Sequence, residues 1–223
     1  MQYQPVTVTG SDYHTASSKL ALPADKKPTS APGMTATKKI TALILAGGAG
    51  RRVGHRDKGL LPWRGKPLVA HVIDALDPQV DDILISCNRN FERYKAYCAN
   101  IVQDTRRDFQ GPLAGMEAAL TCIQTELLVV VSCDMPYLPF DFVEQLMVPL
   151  MLDGNDAAEI SYAHDGTRAQ YLCAGMRTAC LTSLPGFLDS GGRAVKDWYR
   201  SRHSISVDFS DRHSCFRNYN TLD

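Results

Sequence analysis

A glycine-rich segment followed by basic residues is the part of this sequence best suited to chemistry. The apolar run Ile40 to Leu45 leads into Leu45-Ala46-Gly47-Gly48-Ala49-Gly50-Arg51-Arg52 and then into Asp57-Lys58-Gly59. Glycines at the end of a strand let backbone N–H groups approach phosphate oxygens, because no Cβ stands in the way. Arginine and lysine side chains supply the positive charge that a polyphosphate needs. The segment therefore predicts a nucleoside triphosphate site at the end of a first β-strand.

Two common phosphate-binding loops do not fit this segment. A P-loop requires Gly-x-x-x-x-Gly-Lys-Ser/Thr, whereas Lys58 is followed by Gly59. A dinucleotide fingerprint requires Gly-x-Gly-x-x-Gly, and here Gly48-Ala49-Gly50 is followed by Arg51-Arg52-Val53. The loop must therefore bind phosphates in another way.

Three further apolar runs also end in polar residues. They are Ile83 to Ser86, which leads to Asn88; Ile101 to Gln103, which leads to Asp104; and Leu127 to Val131, which leads to Ser132-Cys133-Asp134. In α/β sheets, ligands bind where the carboxyl ends of the strands meet. Asp134 is followed by Met135-Pro136, which is an extended turn rather than a helix start. Its carboxylate, facing the triphosphate loop, is suited to bind Mg²⁺.

Each of these side chains also has a purely structural interpretation. Lys58 is a solvated charge in that case, Asn88 a turn residue and Asp104 a cap of the next helix. The run Gly111-Pro112-Leu113-Ala114-Gly115-Met116 opens a helix with small residues. Such a start either lets a flat ring or a phosphate approach the backbone or allows close helix packing.

The elements that would position these residues alternate along the chain. Strands are expected at Ile40 to Leu45, 83–85, 101–102, 127–131, 157–162, 171–175 and 205–209, and helices after Pro67 and at 91–97, 112–123, 142–150, 181–188 and 193–202. Strands that alternate with helices form a mostly parallel sheet. We therefore expect a three-layer α/β fold with helices on both faces of the sheet, of the Rossmann-like nucleotidyltransferase kind.

Composition limits the class of protein. The 223 residues are 44% apolar with a formal net charge of zero, which suits a single enzyme-sized domain and gives no sign of nucleic-acid binding. Seven cysteines without a Cys-x-x-Cys motif are typical of free thiols in a reducing compartment. The sequence shows neither a secretory signal nor an apolar stretch long enough for a membrane helix, so we expect a cytoplasmic protein.

Residues 1–38 differ from the rest, since they are rich in Thr, Ser, Pro, Ala and Lys and show little periodicity. They are expected to form a disordered tail. Residues 39–223 are expected to form one domain.

The order of several short motifs resembles that of one enzyme family. The motifs are Leu45-Ala46-Gly47-Gly48 with Arg52 and Gly54; Asp57-Lys58-Gly59-Leu60; Gly65-Lys66-Pro67-Leu68 with His71-Val72; Ser86 with Asn88-Arg89-Asn90; Asp104; Gly111 to Met116; Cys133-Asp134 with Pro136; Val207-Asp208-Phe209 with Asp211; and Phe216 with Asn218, Asn220 and Thr221. Together they resemble the molybdenum cofactor guanylyltransferase family over residues 40–223.

The resemblance implies transfer of GMP from GTP to molybdopterin that carries molybdenum, with release of pyrophosphate. The implied GTP-binding residues are Leu45, Ala46, Gly47, Lys58, Asn88, Asp104 and Asp134. Asp134 is the implied Mg²⁺ ligand, and we expect Lys58, Arg52 and Asp134 to be the catalytic residues because they would neutralise the phosphates. Residues 40–135 would then bind GTP and residues 136–223 the acceptor. Molybdoenzyme apoproteins or their chaperones are implied partners; no nucleic acid or membrane is expected.

The acceptor side rests on fewer residues. Asn218 and Asn220 fall where the family is thought to hold the pterin. On a strand, residues two positions apart point to the same side, which suits either a shared ligand or hydrogen bonds at a sheet edge. Arg193, after Gly191-Gly192, is placed to meet the acceptor phosphate. Trp198 is expected to be a core or surface aromatic rather than a pterin platform.

The chain departs from the family pattern in four places. Val53, His55 and Met135 stand where methionine, glycine and threonine are common in the family, and the chain ends at Asp223, where relatives continue into a terminal helix. His55 is expected to alter the phosphate loop, and Met135 removes a hydroxyl beside the metal position. Two alternatives to guanylyl transfer stay open. One is a related nucleotidyltransferase that uses CTP or a sugar 1-phosphate; the other is a nucleotide-binding regulator without catalysis.

Overall fold

The computed structural model describes residues 38–48, 56–106, 110–152, 154, 157–217 and 219. The predicted tail, except for Lys38, lies outside these residues. So do Arg52, Val53, His55, Asn218 and Asn220.

The described part of the chain contains nine strands and six α-helices. The strands are β1 (Ile40–Leu45), β2 (Pro62–Trp63), β3 (Lys66–Pro67), β4 (Asp82–Ser86), β5 (Ile101–Val102), β6 (Leu127–Ser132), β7 (Ile160–His164), β8 (Ala169–Arg177) and β9 (Ser204–Asp208). The α-helices are α1 (Leu68–Leu76), α2 (Phe91–Lys95), α3 (Pro112–Ala119), α4 (Phe142–Met151), α5 (Leu184–Asp189) and α6 (Val195–Arg200). Short 3₁₀ helices span Lys58–Leu60, Asp77–Gln79, Thr178–Ser183 and Ser210–Phe216.

Seven of these strands form one sheet in the order β5-β4-β1-β6-β8-β7-β9. Neighbours are parallel at β5–β4, β4–β1, β1–β6 and β7–β9, whereas β8 is antiparallel to both β6 and β7. In this sheet, therefore, only β8 runs against the common direction. The carboxyl ends of β1, β4, β5 and β6 share one edge, as the prediction of a ligand site there requires.

Helices cover both faces of the sheet, so the predicted three-layer arrangement is confirmed. Along β1, Ala42 and Ile44 pack in a core that also contains residues of α1 and α4. Leu43 and Leu45 belong to a second core, which contains residues of α3, α5 and α6. This alternation follows from the two-residue period of a strand. Both faces being covered explains why β1 and β6 are almost continuously apolar.

The sequence predictions place most elements within a few residues of their observed bounds. Two predicted helices differ most from the structure. The helix predicted at 112–123 ends at Ala119, and the one predicted at 181–188 begins only at Leu184, because Thr178–Ser183 is a 3₁₀ helix. Pro185 at the start of α5 lacks an N–H, which suits the first turn of a helix.

The hairpin β2–β3 was not expected from the sequence. Its two-residue turn consists of Arg64 and Gly65, with φ of +45° and +87°. Positive φ at both central residues is typical of the type I′ turn, whose twist matches that of a hairpin.

Every α-helix in the described ranges is too short or too polar to span a bilayer.

Candidate active site

Lys58 and Asp134 meet at the carboxyl edge of the sheet. The Nζ atom of Lys58 donates a hydrogen bond to Oδ2 of Asp134. The Asp134 side chain is only 4% exposed, against 25% for Lys58. A buried carboxylate is costly unless a cation or hydrogen-bond donors compensate it. The lysine thus neutralises an acid that the fold holds at the end of β6.

The other carboxylate oxygen of Asp134 is suited to a metal ion. Oδ1 is buried and has no hydrogen-bond partner among the described residues. The described residues contain no group of three or more His, Cys, Asp or Glu side chains that would bind a metal by themselves. Mg²⁺ is commonly held by one or two carboxylates together with substrate phosphates and water. The donor set therefore fits Mg²⁺ bound jointly by Asp134 and a nucleotide.

Asp57 fixes the backbone from which Lys58 projects. This residue is buried, and its Oδ1 accepts a 2.5 Å hydrogen bond from the Tyr94 hydroxyl, while Oδ2 accepts a 3.0 Å bond from Nδ2 of Asn90. Burial raises the pKa of the Tyr94 phenol, so it remains a donor. On the other side of Lys58, a Cβ at Gly59 would lie 2.6 Å from the Tyr94 oxygen. Close packing on both sides thus holds Lys58 toward Asp134.

Arg89 joins the two ends of the glycine-rich loop that is predicted to bind phosphates. Its Nη2 donates to the carbonyl oxygens of Gly48, at 3.3 Å, and Arg56, at 2.9 Å. Its Nε lies 3.7 Å from Oδ2 of Asp57. Residues 49–55, which include the predicted catalytic Arg52, lie between these ends and outside the described residues.

Asn88 and Asp104 form a pair through reciprocal hydrogen bonds. Nδ2 of Asn88 donates to Oδ2 of Asp104 at 2.7 Å, and the Asp104 N–H donates to Oδ1 of Asn88 at 3.1 Å. Burial raises the pKa of the Asp104 carboxyl, and hydrogen bonds from Asn88 and Ser86 oppose that shift. Asp104 does not cap α3, which begins after Gly111 without a side-chain cap. Asp104 is therefore not the helix cap of the structural alternative, whereas Asn88 does lie in a bend after β4, with its side chain paired to Asp104 at this edge.

The backbone at Leu45, Ala46 and Gly47 links the neighbouring strand ends. The Leu45 carbonyl accepts a bond from the Cys133 N–H at 3.1 Å, and the Ala46 N–H donates to the Ser86 carbonyl at 2.8 Å. A Cβ at Gly47 would lie 3.0 Å from Nδ2 of Asn88. The sequence-predicted residues of the GTP-binding set are thereby brought together at one edge.

The side chain of Arg193 donates hydrogen bonds to the turn before α6 and to Gln110. Its Nε donates to Oε1 of Gln110 at 2.6 Å, and its Nη1 donates to the carbonyls of Leu188 and Gly192 at 2.7 and 2.6 Å. These bonds connect the turn before α6 to the residue before Gly111. The acceptor role of Arg193 stays a prediction, as do those of Asn218 and Asn220.

Three other side chains named from the sequence are packed rather than reactive. Trp198 is fully buried, and its Nε1 donates to Oγ of Ser183 at 3.0 Å. The ring of His71 shares a 2.7 Å hydrogen bond with the Trp63 carbonyl. Burial and the charge of Asp134 raise the pKa of the Cys133 thiol, which disfavours the thiolate that a nucleophile needs. Met135 is also buried in the core.

Sequence reasoning did not assign roles to Asp57, Tyr94 and Arg89. Asp57 directly precedes Lys58, and Arg89 directly follows Asn88. Their position next to predicted site residues was the one feature of the sequence that could have indicated a role for them. Tyr94 gave no such signal, because its contact with Asp57 depends on how α2 packs beside the 3₁₀ turn.

The three-layer fold, with a glycine segment, a lysine and an aspartate at its carboxyl edge, is that of an α/β nucleotidyltransferase. The family model described as "MobA-like NTP transferase domain" matches residues 42–205. The chain belongs to this family and is a nucleotidyltransferase.

Curated relatives and solved structures agree with this assignment. A "Molybdenum cofactor guanylyltransferase" of Shewanella halifaxensis is 38% identical over 185 residues, which cover 83% of this chain and 91% of the relative. A crystal structure of molybdopterin-guanine dinucleotide biosynthesis protein A from Archaeoglobus fulgidus has a TM-score of 0.66 at 20% identity, covering 82% of this chain and 93% of that one. The complex of Rv0371C with manganese from Mycobacterium tuberculosis has a TM-score of 0.57 at 19% identity, covering 78% and 90%.

Proposed function

We propose that this protein transfers GMP from GTP to the terminal phosphate of molybdenum-molybdopterin. The observation that carries the proposal is the Lys58–Asp134 pair at the strand edge, with one Asp134 oxygen open to a cation. The 38% identity to a molybdenum cofactor guanylyltransferase supports the choice of nucleotide and acceptor.

The reaction is a substitution at phosphorus. A terminal phosphate oxygen of the acceptor attacks the α-phosphorus of GTP, a P–O bond forms, and the bond to the bridging oxygen breaks as pyrophosphate leaves. Both reactants are anions, so the barrier includes their mutual repulsion. No protein nucleophile is needed, which agrees with the raised pKa of the Cys133 thiol.

In this proposal, some residues of the site neutralise the phosphate charge and others bind the nucleoside. Lys58 places a positive charge beside the phosphates, and Arg52 is proposed to add a second one. Mg²⁺, held by Asp134 and the phosphates, would neutralise the charge on the leaving pyrophosphate. Asn88 and Asp104, held by their reciprocal bonds, offer polar groups to the nucleoside.

The two halves of the domain take the two substrates in this proposal. Residues 40–135 bind GTP, and residues 136–223 bind the acceptor through Asn218, Asn220 and Arg193. The protein would act in the cytoplasm and pass its product to molybdoenzyme apoproteins or their chaperones.

The test is pyrophosphate release by the purified protein with Mg²⁺, GTP and molybdopterin. CTP and ATP are run in parallel, each with and without acceptor. Release that requires both GTP and molybdopterin is expected. Release with CTP instead would favour the related cytidylyltransferase. Tight GTP binding without release under any condition would favour the non-catalytic regulator.

A further inference from the structure

Three aromatic side chains from distant parts of the sequence meet beside the loop that carries Asp134. The ring centroids of Trp63 and Tyr219 are 4.4 Å apart, and those of Tyr137 and Tyr219 are 5.7 Å apart. Nε1 of Trp63 also donates a 3.2 Å hydrogen bond to the Tyr137 hydroxyl. We call these three residues the aromatic clasp. Aromatic rings at such distances attract each other beyond the effect of the area they bury.

The clasp is attached directly to the candidate active site. The backbone N–H of Tyr219 donates to the Asp134 carbonyl at 3.4 Å. Tyr137 stands three residues after Asp134 in the same loop. A shift of Tyr219 would therefore break a backbone contact with the residue proposed to hold the metal.

Trp63, the hairpin residue of the clasp, packs on apolar side chains and is hydrogen-bonded to α1. Leu61 and Leu68 form a small apolar cluster against which Trp63 and Tyr219 pack. The Trp63 carbonyl shares the hydrogen bond with His71 of α1, described above. From outside, the Arg64 guanidinium carbon lies 5.6 Å from the Trp63 ring centre and 5.4 Å from that of Tyr137, which is cation–π range.

We propose that Tyr219 is a positioning residue whose ring anchors its own backbone beside the Asp134 loop and thereby sets the affinity for the acceptor. This inference rests on the proposed function, because Asn218 and Asn220 on either side of Tyr219 are the proposed acceptor ligands. The ring contacts of Tyr219 are with Trp63 and Tyr137, not with Lys58, Asn88 or Asp104. The contact of Tyr219 with Asp134 is made by the two main chains, so loss of the Tyr219 ring should leave nucleotide binding unchanged.

The position of the clasp separates this role from general stability. All three rings are half-buried, and their apolar cluster is distinct from the two cores that line the sheet. Loss of the Tyr219 ring should therefore remove its contacts with Trp63 and Tyr137 without opening either core.

The kinetic test compares Tyr219→Ala, Trp63→Ala and the double variant. Each should raise the KM for molybdopterin about tenfold, while the KM for GTP changes less than about twofold. Because both variants break the contact between the Trp63 and Tyr219 rings, the rise in the double variant should be smaller than the product of the two single rises. Tyr219→Phe keeps the ring and loses only the side-chain hydrogen bond with Tyr137, so it should recover most of the wild-type KM. Tyr97→Ala, at a tyrosine 41% exposed, is the matched control and should change neither KM.

A fluorescence test needs no catalysis. The chain has two tryptophans, Trp63 and the buried Trp198, so subtracting the spectrum of Trp63→Phe from that of the wild type isolates the emission of Trp63. Tyr219→Ala should shift that emission toward that of exposed indole, while the far-UV circular dichroism stays that of the wild type because neither core is opened.

These measurements distinguish a failed clasp from a failed function. If the wild-type protein releases no pyrophosphate, the proposed function fails, and the emission shift still tests the clasp. An unchanged Trp63 emission overturns the clasp. An unchanged acceptor KM in Tyr219→Ala, or an equal rise in both KM values, overturns the positioning role.

Discussion

Nζ of Lys58 donates a hydrogen bond to Oδ2 of Asp134 across 76 positions of sequence, while Oδ1 of the same carboxylate stays open among the described residues. One oxygen therefore holds the protein's own cation, and the other is available to a metal ion. A single buried carboxylate can thus serve two cations at once.

Replacing Asp134 by asparagine should abolish most of the transfer and leave the fold intact. The asparagine side chain has nearly the same shape but no charge, so the metal ion and Lys58 both lose their anionic partner. We expect GMP transfer to fall by at least about 100-fold, the size of loss seen when a single charge-stabilising group is removed. Steady-state kinetics, with circular dichroism for the fold, measure both effects. Asp197→Asn, at an exposed carboxylate on α6, should retain wild-type activity.

Replacing Lys58 by methionine should make the protein more responsive to Mg²⁺. The variant leaves the buried Asp134 carboxylate without its cation, which should cost about 2 kcal/mol, below the roughly 3–5 typical of a fully buried pair. Mg²⁺ can bind the freed carboxylate and recover part of that loss. Thermal unfolding with and without Mg²⁺ should therefore show a larger stabilisation in the variant than in the wild type. Equal shifts in the two proteins would contradict a shared carboxylate.

Replacing Gly115 by alanine should destabilise the protein, because α3 packs closely on the end of β4. A Cβ at Gly115 would lie 2.6 Å from Oγ of Ser86 and 3.0 Å from a methyl of Leu45. Overpacking of this kind costs about 1–3 kcal/mol. Gly186→Ala in α5 is the matched control, since nothing lies within 4 Å of its added methyl. Chemical denaturation should show the control unchanged or up to about 1 kcal/mol more stable.

Replacing Asp165 by asparagine should remove a pH-dependent part of the stability. Burial opposes ionisation of this carboxyl, but the N–H groups of Arg168 and Thr167 and the Gln170 amide more than compensate, and its pKa is lowered to about 2. A carboxyl with a lowered pKa stabilises the fold above its unfolded pKa and loses that contribution as the pH falls toward the folded value. The difference between variant and wild type should be about 2 kcal/mol at pH 7 and should close between about pH 4 and pH 2. Denaturation at a series of pH values checks this, with Asp197→Asn as the control.

The edge of the sheet that is proposed to bind the nucleotide could be predicted from the sequence, because each predicted residue lies close in the chain to a strand or a glycine-rich motif. The run Ile40 to Leu45 is a strand with those same bounds, and Asp104 and Asp134 follow strands that the apolar pattern marks. Parallel strands place such residues at one edge whatever the details of the loops.

The remaining features depend on contacts between distant segments. The antiparallel direction of β8 cannot be predicted from the pattern of its residues, since apolar runs look alike in either direction. The bond between Asp57 and Tyr94 forms only when α2 packs beside the 3₁₀ turn. The aromatic clasp joins a hairpin, a loop and the C-terminal segment, and no spacing rule connects Trp63 to Tyr219.

The reversal at β8 has a consequence for how the protein is made. Because β7 and β9 return to the common direction, the chain leaves β9 at the edge that carries Asp134, and Tyr219 reaches the Asp134 carbonyl from there. The ribosome synthesises Lys58, Asn88, Asp104 and Asp134 well before Tyr219. The first core, which packs on β1 and β6, is nevertheless completed only by Phe209 and Phe216. Chains that terminate before β9 lack both of these buried side chains and should not fold stably.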